Sequence, residues 1–166
     1  MLALKPRGRQ MKRIAVVLAA SLGLSLGAMA FVSPAFAAAH SRTFHIHNGT
    51  DTFVDQFPCV GGKYQITLTF NAVAHITKVG PHLVHVTFTQ TGTLDAVTHD
   101  PTSPSFTGHF TQWNGFNSNP HNVSGTFTFS VHAVGSDGSH VTFHEVAHFN
   151  VSASGIENSF DKPTCS

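Results

Sequence analysis

Charge is what this sequence has least of. Of its 166 residues only 10% are Asp, Glu, Lys or Arg, against 41% hydrophobic and 15 Phe. That balance excludes a disordered polyelectrolyte and points to one packed domain. The few charges are also segregated. Lys5, Arg7, Arg9, Lys12 and Arg13 crowd the first residues, and every Asp and Glu lies after residue 50. Beyond residue 37, four bases (Arg42, Lys63, Lys78, Lys162) face eight acids, a net charge of −4. No basic face remains to hold a phosphate backbone, so nucleic acid is not an expected partner. Cysteine is equally scarce: Cys59 and Cys165 are the only two, with no Cys-x-x-Cys. Redox and zinc-ribbon motifs are thereby absent. There is no Gly-x-Ser-x-Gly elbow, no glycine-rich phosphate loop opening a helix, and no assignable glycosidase-type carboxylate pair. No cofactor is implied.

The first segment has the layout of an export signal. A basic stretch over residues 5–13 precedes a nearly unbroken apolar run, Ile14 to Val32. Pro34 then breaks the run, and Ala35-Phe36-Ala37 supplies the small-x-small pattern of signal peptidase. The expectation is a signal-peptide helix over 1–37, cleavage after Ala37, and a secreted domain over 38–166. Met11 is an alternative start. An uncleaved anchor is the rival reading, because about 19 apolar residues span a bilayer. With cleavage, no stable membrane insertion is expected. In an oxidising compartment the two cysteines read as a Cys59–Cys165 disulfide.

Beyond residue 37 the pattern is period 2. Tyr64, Ile66, Leu68, Phe70, Ala72, Ala74 and Ile76 alternate with Gln65, Thr67, Thr69, Asn71 and His75. Val123–Ala133 and His140–Ala153 alternate in the same way. Shorter strand candidates are Thr43–His47, Thr52–Phe57, Leu83–Gly92, Ser105–Trp113 and Ile156–Phe160. Gly135-Ser136-Asp137-Gly138 reads as a hairpin loop, and the two prolines of Asp100–Pro104 as a connection. The expected fold is all-β: one antiparallel β-barrel of about seven or eight strands, with a two-sheet β-sandwich as the alternative.

His144-Glu145-Val146-Ala147-His148 matches His-Glu-x-x-His. The zinc-peptidase chemistry of that motif needs a helix, where both histidines share one face and the Glu activates water. Here the surrounding alternation predicts a strand. In a strand His144 and His148 stand about 13 Å apart and Glu145 points the other way. They are therefore weak metal candidates. The same reading sharpens Glu145, which falls between Phe143 and Ala147 on the apolar face, opposite Phe129 if the loop has three residues. A carboxylate there must find a partner or hold its proton, and Tyr64, Gln112, Trp113 and Asn114 are the expected partners. Glu145 is the one weak catalytic candidate, as a general acid/base. The other histidines, including His45/His47 and His82/His85, read mainly as a polar face in which His replaces charge.

The run Gly125-Thr126-Phe127-Thr128-Phe129-Ser130-Val131-His132, the loop Gly135–Ser139, the segment Phe143–Phe149 and the ending Ser159-Phe160-Asp161-Lys162-Pro163-Thr164-Cys165 resemble small secreted proteins of actinobacterial type. That resemblance implies no activity. At the level of architecture the chain is similar to lipocalin-like and allene-oxide-cyclase-like barrels. The expected function is non-catalytic: binding a small apolar ligand, or acting as an extracellular interaction module. Pocket candidates are Tyr64, Phe70, Phe88, Phe110, Phe129, Phe143 and Glu145. The alternatives are a cyclase or isomerase using Glu145, and, less favoured, a zinc hydrolase using His144, Glu145 and His148. Ligand identity and oligomeric state are not encoded in any motif.

Overall fold

Alternating apolar and polar side chains build seven strands. The computed structural model describes residues 39–155 and 157–166; the expected signal peptide lies outside the described residues. The strands are β1 (Ala39–Gln56), β2 (Lys63–Val79), β3 (Leu83–Thr98), β4 (Phe106–Asn119), β5 (Asn122–Gly135), β6 (His140–Ser152) and β7 (Glu157–Cys165). Strands β2 to β6 each have one buried and one wetter face, whereas β7 is exposed throughout and β1 has no buried position. They form one sheet in sequence order, every neighbouring pair antiparallel. The two-sheet sandwich is therefore not the arrangement found.

The sheet is not closed: β1 and β7 are its edges. In an up-and-down meander of seven strands the first and last run the same way. Closure would need a parallel pair, with its slanted and slightly weaker bonds. The sheet nevertheless curls. Strands about 4.8 Å apart would put the β1–β2 turn roughly 25 Å from β7 in a flat sheet. The Cys59–Cys165 disulfide joins them with Cα atoms 5.7 Å apart. The apolar face thus becomes the concave interior.

Close backbone approach makes the curl possible. A Cβ at Gly92 would lie 2.0 Å from the Thr69 carbonyl oxygen, and one at Gly108 would lie 2.2 Å from that of His132. Only glycine fits at either position. Near the disulfide the interior is filled. Phe57 stacks on Phe106 with centroids 4.8 Å apart, Tyr64 packs on both, and Leu68, Leu94, Phe110, Val131 and Phe143 continue the core.

Several expected strand bounds change: Leu83–Gly92 runs on to Thr98, and Ser105–Trp113 becomes Phe106–Asn119, with no loop before Asn119. Thr43–His47 and Thr52–Phe57 are a single strand, interrupted by a bulge where pairing slips between Ile46 and Gly49 and Asn48 takes φ 53°. At the other end β7 runs on through Pro163 to Cys165. Proline is tolerated there because β7 is an edge and has no outer neighbour needing its N–H.

Candidate functional site

Strand register sets the concave face in rows of directly opposed residues. The row nearest the core runs Phe70, Gly92, Phe110, Val131, Phe143, Cys165. The next runs Ala72, Gln90, Gln112, Phe129, Glu145, Pro163. A third runs Ala74, Phe88, Asn114, Phe127, Ala147, Asp161. An apolar row therefore gives way to a polar one in the middle of the trough. Gln90, Gln112 and Glu145 are its buried polar residues, at 1%, 3% and 6% exposure. Gln90 and Gln112 oppose each other directly, and Phe129 separates them from Glu145; its ring packs on Phe110, Phe127 and Phe143 at centroid distances of 5.9–6.2 Å.

The pocket candidates divide accordingly. Phe70, Phe110 and Phe143 share the first row, Phe129 and Glu145 the second, and Phe88 the third. Tyr64 does not join them. It sits deeper, opposite Thr98 and against Phe57 and Phe106, where burial and then the charges of Asp100 and Asp137 push its phenol up and keep it neutral.

Glu145 lies opposite Phe129, and its partner is none of the four neighbours named from the sequence. It is Asp161, one register step along β7, which hydrogen-bonds the Glu145 carboxyl. Burial first, then the Asp161 charge and that hydrogen bond, push Glu145 up to about 7. Two carboxyls in contact cannot both ionise cheaply, so they hold a proton between them. Asp161 escaped sequence reasoning because Pro163 argues against a strand. Gln90 was legible, since it occupies the same face of its strand as Phe88 and Leu94. Gln90 Nε2 and Gln112 Oε1, on cross-strand neighbours, have no hydrogen-bond partner.

His144 and His148 lie on the other face of β6, away from Glu145. Ser130 shares a hydrogen bond with His144 Nδ1 at 2.7 Å, and Thr126 one with His148 Nδ1 at 2.9 Å. His148 also stacks on Phe160, centroids 5.9 Å apart. In this strand the two histidines cannot grip one ion with Glu145 beside it. The outer face also holds a shallow depression of about 740 Å³ lined by Asp95, His109, His132 and His140 among others. Among the described residues no three His, Cys, Asp or Glu side chains converge to hold a metal ion. His45 and His47 stack ring on ring, 6.3 Å apart, across the β1 bulge.

No family model, curated protein or solved structure matches this chain.

Proposed function

We propose that the chain is a secreted, non-catalytic binding protein whose curled, barrel-like sheet holds a small and largely apolar ligand on its concave face. The observation that carries this reading is the polar row of Gln90, Gln112 and Glu145 inside an aromatic lining, with an amide donor and an amide acceptor left unpartnered. A few convergent polar groups among aromatic rings are the usual construction of a small-molecule site. Buried polar atoms without partners cost stability, and a ligand's polar group offsets that cost. The basic, apolar and Ala-Phe-Ala leader supports export, and the Cys59–Cys165 disulfide is compatible with an oxidising compartment.

A neutral fluorescent apolar probe, N-phenyl-1-naphthylamine, tests the reading. The expectation is saturable enhancement at one probe per chain, weakened about tenfold by Ala147→Trp, which places an indole between Phe127 and Asp161. No saturable binding, or binding indifferent to Ala147→Trp, would refute it.

One observation favours a second reading. The Glu145–Asp161 pair holds a proton near neutral pH, as a general acid/base must. In a cyclase- or isomerase-type reaction Glu145 would pass that proton to or from a bound substrate, with Asp161 accepting the hydrogen bond. Turnover of a bound ligand that Glu145→Gln abolishes without loss of binding would select this reading over the first.

A further inference from the structure

Cleavage after Ala37 makes Ala38 the first residue of the exported chain, followed by Ala39 and His40. A free amine with histidine in the third position is a complete set of nitrogen donors: the Ala38 amine, the backbone nitrogens of Ala39 and His40, and the His40 imidazole Nδ1. Joined by consecutive covalent links, they close small chelate rings around one ion. Only the third position gives every corner of a square to successive donors along the chain. Coplanar nitrogens in a tetragonal field are what divalent copper and nickel prefer, copper the more strongly.

The described part of this segment is free to coordinate. Ala39 and His40 open β1, opposite Val79 and Lys78, at the end of the sheet away from the β1–β2 turn. Strand β1 is an edge, and its first ten residues are all exposed. Lifting two residues off that end uncovers no core, and ladders open most easily at chain ends. The His40 ring is also uncommitted. His75, His85, His132, His144 and His148 each share a side-chain hydrogen bond with a neighbouring strand. Among the described residues His40 shares none. Neither cysteine offers a competing thiolate, since both are in the disulfide.

We propose that the exported chain binds one divalent copper ion at Ala38-Ala39-His40. On binding, the Ala39 and His40 amides give up their protons to solvent, as does the amine where it is protonated. The two amide anions neutralise the ion, and no electron changes hands. Zinc does not displace amide protons in this way and favours tetrahedral ligands, so the site discriminates against it. The proposal rests on the export reading, because only cleavage after Ala37 frees the Ala38 amine. It needs nothing from Glu145 or the glutamines of the concave face.

The full chain is expressed with its leader in an exporting bacterium, and intact mass gives the first residue of the secreted protein. That protein is titrated with copper sulfate in excess glycine, which strips copper from weaker surface histidines. The expected result is one tightly held ion with the visible absorption and nitrogen hyperfine coupling of a tetragonal all-nitrogen centre. His40→Ala is expected to weaken binding at least about a hundredfold with unchanged circular dichroism. Ala39→Pro keeps His40 but has no amide proton to displace at that residue, and loses the same spectrum. His45→Ala and His144→Ala retain it. A chain that is not exported, or that begins elsewhere than at Ala38, would refute the cleavage and the site together. An Ala38 start with no tight copper, with copper held equally well by His40→Ala, or with the all-nitrogen spectrum kept in Ala39→Pro would overturn the site and leave export standing.

Discussion

Glu145→Gln keeps the shape of the side chain and removes its proton equilibrium, which makes its effect on stability calculable. Glu145 has an ordinary value of 4.5 and is held at about 7 in the folded chain. Between those values the folded state binds a proton that the unfolded state has lost, so stability falls as pH rises through that window and stays low above it. A gap of about 2.5 pH units corresponds to about 3.4 kcal/mol as an upper bound. The Asp161 partner stands on an open sheet edge, where water screens the interaction, so about 1.5–2 kcal/mol is the working figure. Gln pays no ionisation penalty at any pH. The variant should be about 1.5–2 kcal/mol more stable than the parent at pH 8, and within about 0.5 kcal/mol of it at pH 4. Urea unfolding of both proteins across this range measures the difference, and groups common to both cancel. Near neutral pH and above, the gain is about 4–6 °C in Tm. Parallel stability curves from pH 4 to 8 would refute the reasoning, because they would mean that Glu145 ionises as an ordinary exposed carboxylate.

Three further outcomes follow from the fold. Removing the disulfide by Cys59→Ser with Cys165→Ser opens a loop of 106 residues and should cost about 3–5 kcal/mol in urea unfolding; a loss below about 1 kcal/mol would show that the curl holds without it. Gly92→Ala drives a methyl into the Thr69 carbonyl and should cost about 3 kcal/mol, whereas Gly155→Ala, where a Cβ meets nothing, carries only the strain of its positive φ. Purified protein should hold no stoichiometric zinc by mass spectrometry, and His148→Ala should leave both metal content and the β-type circular dichroism spectrum unchanged; bound zinc lost in that variant would return the hydrolase reading to the front.

What the sequence made legible was whatever period 2 controls. Alternation across Tyr64–Ile76 and Val123–Ala133 assigns faces, and a turn at Ser136–Gly138 is enough to set Glu145 against Phe129. Closure was beyond it, because whether seven strands meet depends on curl, and curl depends on how closely backbones approach at Gly92 and Gly108. Those glycines look like any others until Thr69 and His132 are placed beside them. The Asp161 partner was hidden for a different reason. Proline usually ends a strand, and only an edge position lets Pro163 carry β7 past it. The His-Glu-x-x-His match shows the converse: a motif legible as letters is chemically empty once its residues alternate across a sheet.

The most direct test of the binding reading is the carboxyl ¹³C shift of Glu145, followed by NMR from pH 4 to 9 with and without saturating N-phenyl-1-naphthylamine. A concave-face site predicts titration near 7 in the free protein, moved upward when an apolar probe displaces water beside it. Titration in the ordinary carboxylate range, or a midpoint unmoved by bound probe, would contradict it.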